Sequence, residues 1–213
     1  MPRITPLELK GPAGLLEAEL LEPETPPVFV ATVAHPHPLY GGDMDNHVVD
    51  AAATAVERLG GAALRFNFRG TGRSAGRHDA GRGEVDDLAT CERELRNRFP
   101  RLPRIGVGYS FGAVVTVAGL PLAEAAADPP AGLVLIAPPL THYDFEDAAT
   151  ASVPVAVVYG QLDGFTPPAM IRRLPKRWPT LDGCREVSGV GHDLSSPDLG
   201  STIRRALQSL LPA

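Results

Sequence analysis

The stretch GVGYSFGAVV, residues 106–115, places one serine between two glycines, with an apolar run on each side. The run before Ser110 predicts a buried strand at 104–109, and the run after it predicts a helix. A serine at such a sharp strand-to-helix turn exposes its hydroxyl, and it needs small residues two positions away so that strand and helix can approach. Gly108 and Gly112 meet that need. The stretch therefore predicts a nucleophilic serine, with a glycine-rich turn that carries a solvent-facing serine as the alternative.

Short apolar runs alternate with longer helical patterns along the rest of the chain, which predicts an α/β fold with a mostly parallel sheet. The predicted strands are 28–34, 62–68, 104–109, 133–137, 155–159 and, more weakly, 184–187. The predicted helices are 46–59, 84–99, 111–120, 167–173 and 196–211. Segments 4–10 and 15–21 predict an antiparallel hairpin at the sheet edge. No shift in composition divides the chain, so one domain over residues 1–213 is expected.

Composition and charge are typical of a globular protein without a broad basic surface. The chain is 44% hydrophobic and 21% charged, and its 20 Lys and Arg against 25 Asp and Glu give a formal net charge of -5. This balance predicts no nucleic-acid partner and no attraction to an anionic membrane. The N-terminal residues lack the apolar core of a signal peptide, so we expect a cytoplasmic location. Cys91 and Cys184 lie far apart and outside a CxxC pattern, which predicts ordinary thiols.

A serine hydroxyl is a weak nucleophile at neutral pH, so it needs a base and a group that orients the base. Where a serine sits on this kind of turn, the acid and then the histidine follow it along the chain. Asp163 follows the strand predicted at 155–159, and His192 follows the last predicted strand. Both are therefore expected at the sheet edge that holds Ser110. The competing acids are Asp144, Asp182 and Asp193, and the alternative for His192 is a structural surface histidine.

Acyl transfer also needs backbone N–H donors for the developing oxyanion. The N–H of Phe111, directly after the serine, would supply the first. The second is expected from the loop after strand 28–34, where Pro36 and Pro38 have no N–H and His37 is the first donor fully inside the loop. The N–H groups of Leu39 and Tyr40 remain open as alternatives.

The same loop is rich in groups that can bind metals, namely His35, His37, Asp43, Asp45 and His47. Their spacing follows no standard ligand pattern, so we expect hydrogen bonding by His35 to brace the loop and no metal. Asp45 or Asn46 is expected to cap the helix that follows. Arg69 and Arg73, in the charged segment 65–87, are expected to pair with its acids, with an anionic substrate group as the alternative.

The segments HPHPLYGGDMDN, RFNFRGTGRSAG, GYSFG, GQLDGFTP and GVGH together resemble the α/β-hydrolase superfamily. More narrowly, they resemble its small lidless bacterial serine hydrolases, which are grouped with dienelactone-hydrolase-like and CocE/NonD-like proteins. The resemblance implies a three-layer fold, with helices on both faces of a mostly parallel central sheet and no cap domain. It makes Ser110 the nucleophile, Asp163 the acid and His192 the base, and it implies no cofactor. Dienelactone hydrolases proper use cysteine as nucleophile, however, and many relatives carry an aromatic residue where this chain has Asp193.

Larger relatives insert a cap between the strands predicted at 133–137 and 155–159, where this chain has a short segment. An open, shallow site is therefore expected, with a small-molecule ester as substrate and a monomer or homodimer as the functional unit. The residues expected to line the pocket are Tyr40, Leu39, Phe165 and Tyr143. Trp178 is a further candidate, and core packing is the alternative for these aromatic residues. A thioesterase or peptidase with the same triad remains an alternative, as does a non-catalytic binding protein on the same fold.

Overall fold

The computed structural model describes residues 2–211, which contribute eight strands to one sheet. The strands are β1 Arg3–Gly11, β2 Gly14–Glu22, β3 Phe29–Ala34, β4 Gly61–Phe66, β5 Arg104–Tyr109, β6 Gly132–Ile136, β7 Val155–Gly160 and β8 Leu181–Val187. Their order across the sheet is β1-β2-β4-β3-β5-β6-β7-β8. The β1–β2 and β2–β4 pairs are antiparallel and every other pair is parallel, so the predicted fold class is confirmed.

The helices are α1 His47–Arg58, α2 Arg82–Arg98, α3 Phe111–Ala125, α4 Glu146–Thr150, α5 Pro168–Ile171, α6 Leu174–Arg177 and α7 Leu199–Leu210. A short 3₁₀ turn covers Pro38–Tyr40. Asn46 caps α1, because its side-chain oxygen accepts a hydrogen bond from the N–H of Val48 at 2.9 Å. No helix within residues 2–211 is long and apolar enough to cross a membrane.

Each central strand packs against helices on both sides of the sheet, because alternate residues of a strand point to opposite faces. Ala31 and Val33 of β3 join α1 and α7 in one apolar cluster. Val30 and Ala34 of the same strand join α2 and the start of α3 in another. The continuous apolarity of the central strands follows from this burial on both faces.

Several predicted boundaries differ from the observed ones. The helix predicted at 111–120 ended before Pro121, which lacks the N–H that would bond to the preceding turn. Helix α3 nevertheless continues through this proline to Ala125. The helix predicted at 167–173 is shorter than expected, since α5 covers only Pro168–Ile171, and a second short helix, α6, begins after the predicted end at Leu174. Strand β8 begins three residues before its predicted start, because residues from Leu181 onward pair with β7 across a register shift.

The segment between β6 and β7 contains the five-residue helix α4 and no inserted domain. Residues 138–142 of this segment follow the carboxyl end of β6, which lies beside β5. Parallel strands present their carboxyl ends at one edge of the sheet. The loops after β3, β5, β6, β7 and β8 therefore meet at that edge, and nothing inserted there covers them.

Candidate active site

Ser110 lies between β5 and α3 with a backbone φ of 53° and ψ of -115°, a conformation that side-chain-bearing residues adopt at a cost. The turn is tight enough to exclude any side chain at the flanking glycines. A Cβ atom at Gly108 would lie 2.3 Å from the carbonyl oxygen of Gly112, and one at Gly112 would lie 2.3 Å from that of Ala34. The two glycines thus let α3 start directly against β5 and β3, which leaves the Ser110 hydroxyl at the sheet edge.

The structure brings Ser110, His192 and Asp163 into one hydrogen-bonded chain. The hydroxyl of Ser110 lies 2.8 Å from Nε2 of His192, and Nδ1 of His192 lies 2.8 Å from Oδ2 of Asp163. A carboxylate can only accept, so Nδ1 carries the proton and the Nε2 lone pair faces the serine hydroxyl. This tautomer is the one in which imidazole can remove a proton from a hydroxyl.

Asp163 is 2% exposed, and its second carboxylate oxygen is also occupied. Oδ1 accepts hydrogen bonds from the backbone N–H groups of Phe165 at 2.8 Å and Thr166 at 3.1 Å. Burial alone raises the pKa of this carboxyl, but the hydrogen bond and charge of His192, with these two donors, outweigh burial and lower the pKa. The carboxylate is therefore held in its charged form, as a group that orients an imidazole requires.

The competing acids lie outside this chain of hydrogen bonds. The Asp144 carboxylate accepts from the N–H of Glu146, and Asp182 lies 3.4 Å from Arg185. Asp193 has an exposed side chain, as expected for a residue that faces away from its neighbour His192. The three acids thus stay apart from the imidazole.

Two side chains that sequence reasoning missed hold the His192 loop in place. The hydroxyl of Tyr109 donates to the carbonyl of His192 at 2.9 Å, and Nε2 of His47 lies 2.8 Å from the carbonyl of Asp193. Tyr109 immediately precedes the serine, and burial raises the pKa of its hydroxyl, which stays protonated as a donor. Its position beside Ser110 is a signal that could have suggested this role.

The loop after β3 contains a backbone N–H that has no protein acceptor among the described residues. Within residues 2–211, the N–H of His37 donates to no protein acceptor, and the first-turn N–H of Phe111 has none in its helix. The alternative donors are occupied: the N–H of Leu39 donates to Nδ1 of His37 at 3.2 Å, and that of Tyr40 donates to the carbonyl of His37 at 3.0 Å. The rings of His37 and Phe111 are in tilted contact, with centroids 4.8 Å and planes 49° apart.

His35 is fully buried beneath this loop and braces it, as expected. Its Nδ1 donates to the carbonyl of Pro36 at 2.6 Å, and its Nε2 accepts from the N–H of Phe68 at 3.0 Å. Burial lowers the pKa of His35 to about 4, so the ring is neutral and each nitrogen has one partner. No group of three His, Cys, Asp or Glu side chains that could hold a metal occurs in the described part of the chain.

A cleft of about 820 Å³ opens above Ser110. Tyr40, Tyr143 and Phe165 line it, as predicted. Further lining residues, which the sequence analysis did not name for the pocket, are Pro36, Gly41, Gly42, Asn46, Tyr109, Pro139 and His142. Pro139 and His142 follow β6, the strand next to β5. This position in the sequence is the signal that could have indicated their place in the cleft.

The prediction for Leu39 is wrong, and Trp178 follows the alternative of core packing. Leu39 is 70% exposed and does not line the cleft, because a 3₁₀ turn sends successive side chains in different directions and Tyr40 is the one that borders the cleft. Trp178 is 1% exposed and packs against Phe145, with ring centroids 6.1 Å apart. It belongs to the core under α6 rather than to the cleft.

The arginines of the charged segment are paired. Arg69 makes two side-chain hydrogen bonds to the buried carboxylate of Asp87, at 2.8 and 3.0 Å. Arg73 instead pairs with Glu17 of β2 at 2.7 Å, a partner outside the segment where its acid was expected. Neither arginine lines the cleft above Ser110.

Known proteins are similar to this chain both in sequence and in architecture. Residues 41–144 match a family model described as serine aminopeptidase, S33. An α/β serine hydrolase without a lid from Xanthomonas campestris is 32% identical and superposes with a TM-score of 0.87, over 99% of this chain and 96% of that one. This chain belongs to the lidless α/β serine hydrolases.

Two further relatives extend the group to which this hydrolase belongs. An α/β serine hydrolase homologue from Coxiella burnetii is 30% identical, with a TM-score of 0.84 over 95% of this chain and 97% of that chain. An uncharacterized protein of Rickettsia prowazekii is 32% identical over 171 residues, which cover 78% of this chain and 70% of that protein.

Proposed function

We propose that this hydrolase cleaves small uncharged carboxylic esters through an acyl-enzyme formed on Ser110. The observation that carries the proposal is the hydrogen-bonded chain from Ser110 through His192 to Asp163, at the floor of an open cleft. In this arrangement Nε2 of His192 removes the hydroxyl proton as the Ser110 oxygen attacks the ester carbonyl carbon. The carboxylate of Asp163 stabilises the imidazolium that forms.

The tetrahedral intermediate places negative charge on the former carbonyl oxygen. The free N–H groups of His37 and Phe111 are proposed to donate hydrogen bonds to that oxygen, each worth about 3 kcal/mol in the barrier. His192 then gives its proton to the departing alkoxide, which leaves as the alcohol. Water, deprotonated by the same imidazole, attacks the acyl-enzyme and releases the carboxylic acid. Because the imidazole must be neutral to act as a base, the rate should fall as the solution is acidified.

The lining of the cleft supports a neutral ester over an N-terminal peptide. Among the described residues that line it, none is Asp, Glu, Lys or Arg. An aminopeptidase, the activity named in the matched family model, would have to place a substrate ammonium group in this cleft. A charged group desolvated there would have no charged partner, which costs several kcal/mol.

Covalent labelling with a fluorophosphonate probe tests the proposal directly. The wild-type protein should be labelled and should hydrolyse p-nitrophenyl acetate, whereas Ser110→Ala should do neither. Ser152→Ala removes an exposed serine whose hydroxyl bonds to Glu124, and it should retain both properties. Labelling that survives in Ser110→Ala would contradict the proposed nucleophile, and a folded wild-type protein without any labelling would favour a binding protein. A screen of thioesters beside oxygen esters of equal acyl length separates the thioesterase alternative.

A further inference from the structure

Aromatic side chains are concentrated around Ser110. The chain has seven Phe, four Tyr and one Trp, and five of these twelve line the cleft: Tyr40, Tyr109, Phe111, Tyr143 and Phe165. Three of the five are left open to water, with Tyr40 87%, Tyr143 36% and Phe165 43% exposed. Exposed aromatic surface at one mouth is a feature of ligand-binding sites, because a ligand that covers the surface removes it from water.

The rings of Phe165 and Tyr143 contact different groups around the serine. The ring of Phe165 lies 4.7 Å from that of His192 and 5.1 Å from that of His142, measured between centroids. The ring of Tyr143 lies 6.4 Å from that of Phe111, measured between centroids. His192 must hand its proton to the departing alcohol oxygen, so the alcohol part of the ester lies on the side of His192. Phe165 thus borders the alcohol part.

Hydrogen bonds hold the backbone of Phe165 at both its N–H and its carbonyl group. Its N–H donates to Asp163 at 2.8 Å, and its carbonyl accepts from the N–H of Thr141 at 3.2 Å. The next residue, Thr166, is buried, and its hydroxyl donates to the carbonyl of Pro138 at 2.9 Å. A ring held in this way loses little conformational entropy when a flat partner packs on its exposed face.

The geometry points to a substrate class: we propose that the preferred substrate is an uncharged ester whose alcohol portion carries an aromatic ring, which packs on Phe165 beside His142. Aromatic pairs in offset or edge-to-face contact gain more than their buried area alone provides. The aromatic residues that line the cleft can make such contacts with a neutral ring. Among the described residues that line it, no Asp, Glu, Lys or Arg is available to pair with an ionic group. This inference rests on the proposed esterase function, since it uses the path of the His192 proton.

The test compares kcat/KM for benzyl acetate and cyclohexylmethyl acetate on the purified protein. The two esters share the acyl group, both release a primary alcohol, and their rings have the same number of carbons. Because the cyclohexyl ring is the more hydrophobic, simple burial favours it, whereas aromatic contact favours the benzyl ester. Benzyl alcohol is also a slightly better leaving group, but wild type and variants share this effect, so the fall of the ratio in a variant isolates the contact. We expect the wild-type protein to prefer benzyl acetate by about threefold to tenfold, the range expected for one aromatic pair.

Two variants locate the preference. Phe165→Leu should bring the benzyl to cyclohexylmethyl ratio to about one or below, because leucine keeps an apolar surface without a ring. Tyr143→Leu is the matched control, because the ring of Tyr143 contacts that of Phe111. This variant should keep the wild-type ratio of kcat/KM values whatever the absolute rates. A wild-type ratio at or below one, an unchanged ratio in Phe165→Leu, or loss of the ratio in Tyr143→Leu would each overturn the assignment.

Failure of the assignment is distinguishable from failure of the proposed function. Turnover of either ester that disappears in Ser110→Ala, combined with a ratio of one, would overturn the aromatic preference and leave the esterase intact. Absence of Ser110-dependent turnover of both esters and of p-nitrophenyl acetate would overturn the esterase, and the substrate class would fall with it.

Discussion

Lowering the pH from 7 to 5 should destabilise this protein through His35, which is buried beneath the loop that carries the proposed oxyanion donor. Both ring nitrogens are used in the neutral form, one as donor to Pro36 and one as acceptor from Phe68. A second proton on the ring would face the N–H of Phe68 and would place a charge in a fully buried site. Burial accordingly lowers the pKa of His35 from 6.5 to about 4.

The sign and size of the effect follow from this difference. The pKa is lower in the folded protein than in the unfolded chain, so the unfolded chain binds the proton more readily. The stabilisation is therefore complete above about pH 6.5 and is lost as the pH falls from there toward 4. The lowered pKa of His35 contributes about 3 kcal/mol to the free energy of unfolding, and about 2 kcal/mol of this contribution is lost between pH 7 and pH 5.

Urea unfolding of the wild-type protein and of His35→Asn at pH 7, 6 and 5 measures this contribution. The asparagine amide can still donate to the carbonyl of Pro36, but it does not titrate. At pH 7 the variant should be less stable by about 1–3 kcal/mol, because the N–H of Phe68 loses its buried acceptor. All other titrating groups are common to both proteins, so the gap between them should narrow by about 2 kcal/mol between pH 7 and pH 5. A gap that stays constant with pH would refute the reasoning.

Three further predictions concern the site. Gly112→Ala should lower the free energy of unfolding by about 1–3 kcal/mol or more, because its Cβ would meet a carbonyl of β3 at 2.3 Å. Gly200→Ala, where a Cβ meets nothing within 4 Å, should keep or raise stability in the same denaturant assay, and equal losses in the two variants would contradict the steric account. Asp163→Asn should fold normally and lower kcat about 10⁴-fold, because an amide favours the wrong tautomer of His192; a loss below tenfold would argue against that orienting role. Tyr109→Phe removes a hydrogen bond to the carbonyl of His192 and should cost about 1 kcal/mol of stability together with some kcat, and unchanged kcat would show that the loop needs no such support.

The sequence predicted the order of strands and helices well because each central strand is buried on both faces. A strand buried on both faces requires a continuous apolar run, and the turns between strands require polar residues, glycine or proline. Each strand can therefore be predicted from its own segment of the sequence. Boundaries were less predictable where the deciding contact comes from elsewhere. Strand β8 extends to Leu181 because β7 pairs with it, and no local pattern records that pairing.

The positions of Ser110, Asp163 and His192 were predictable for a different reason. Each follows the carboxyl end of a parallel strand, and such ends share one edge of the sheet whatever the loops do. The supporting contacts were not predictable in this way. The hydrogen bond from Tyr109 to the His192 loop spans 83 residues, and the pairing of Arg73 with Glu17 spans 56.

By itself, the sequence determined which residues could carry the chemistry and the α/β framework that aligns them, because residue type and hydrophobic period are local properties. Only the tertiary structure decided which backbone N–H groups stay free and which aromatic rings face the cleft. It also decided that Tyr40 borders the cleft while its neighbour Leu39 does not. Those outcomes depend on side-chain direction in turns and on hydrogen bonds between distant loops, which form only when the sheet brings the loops together.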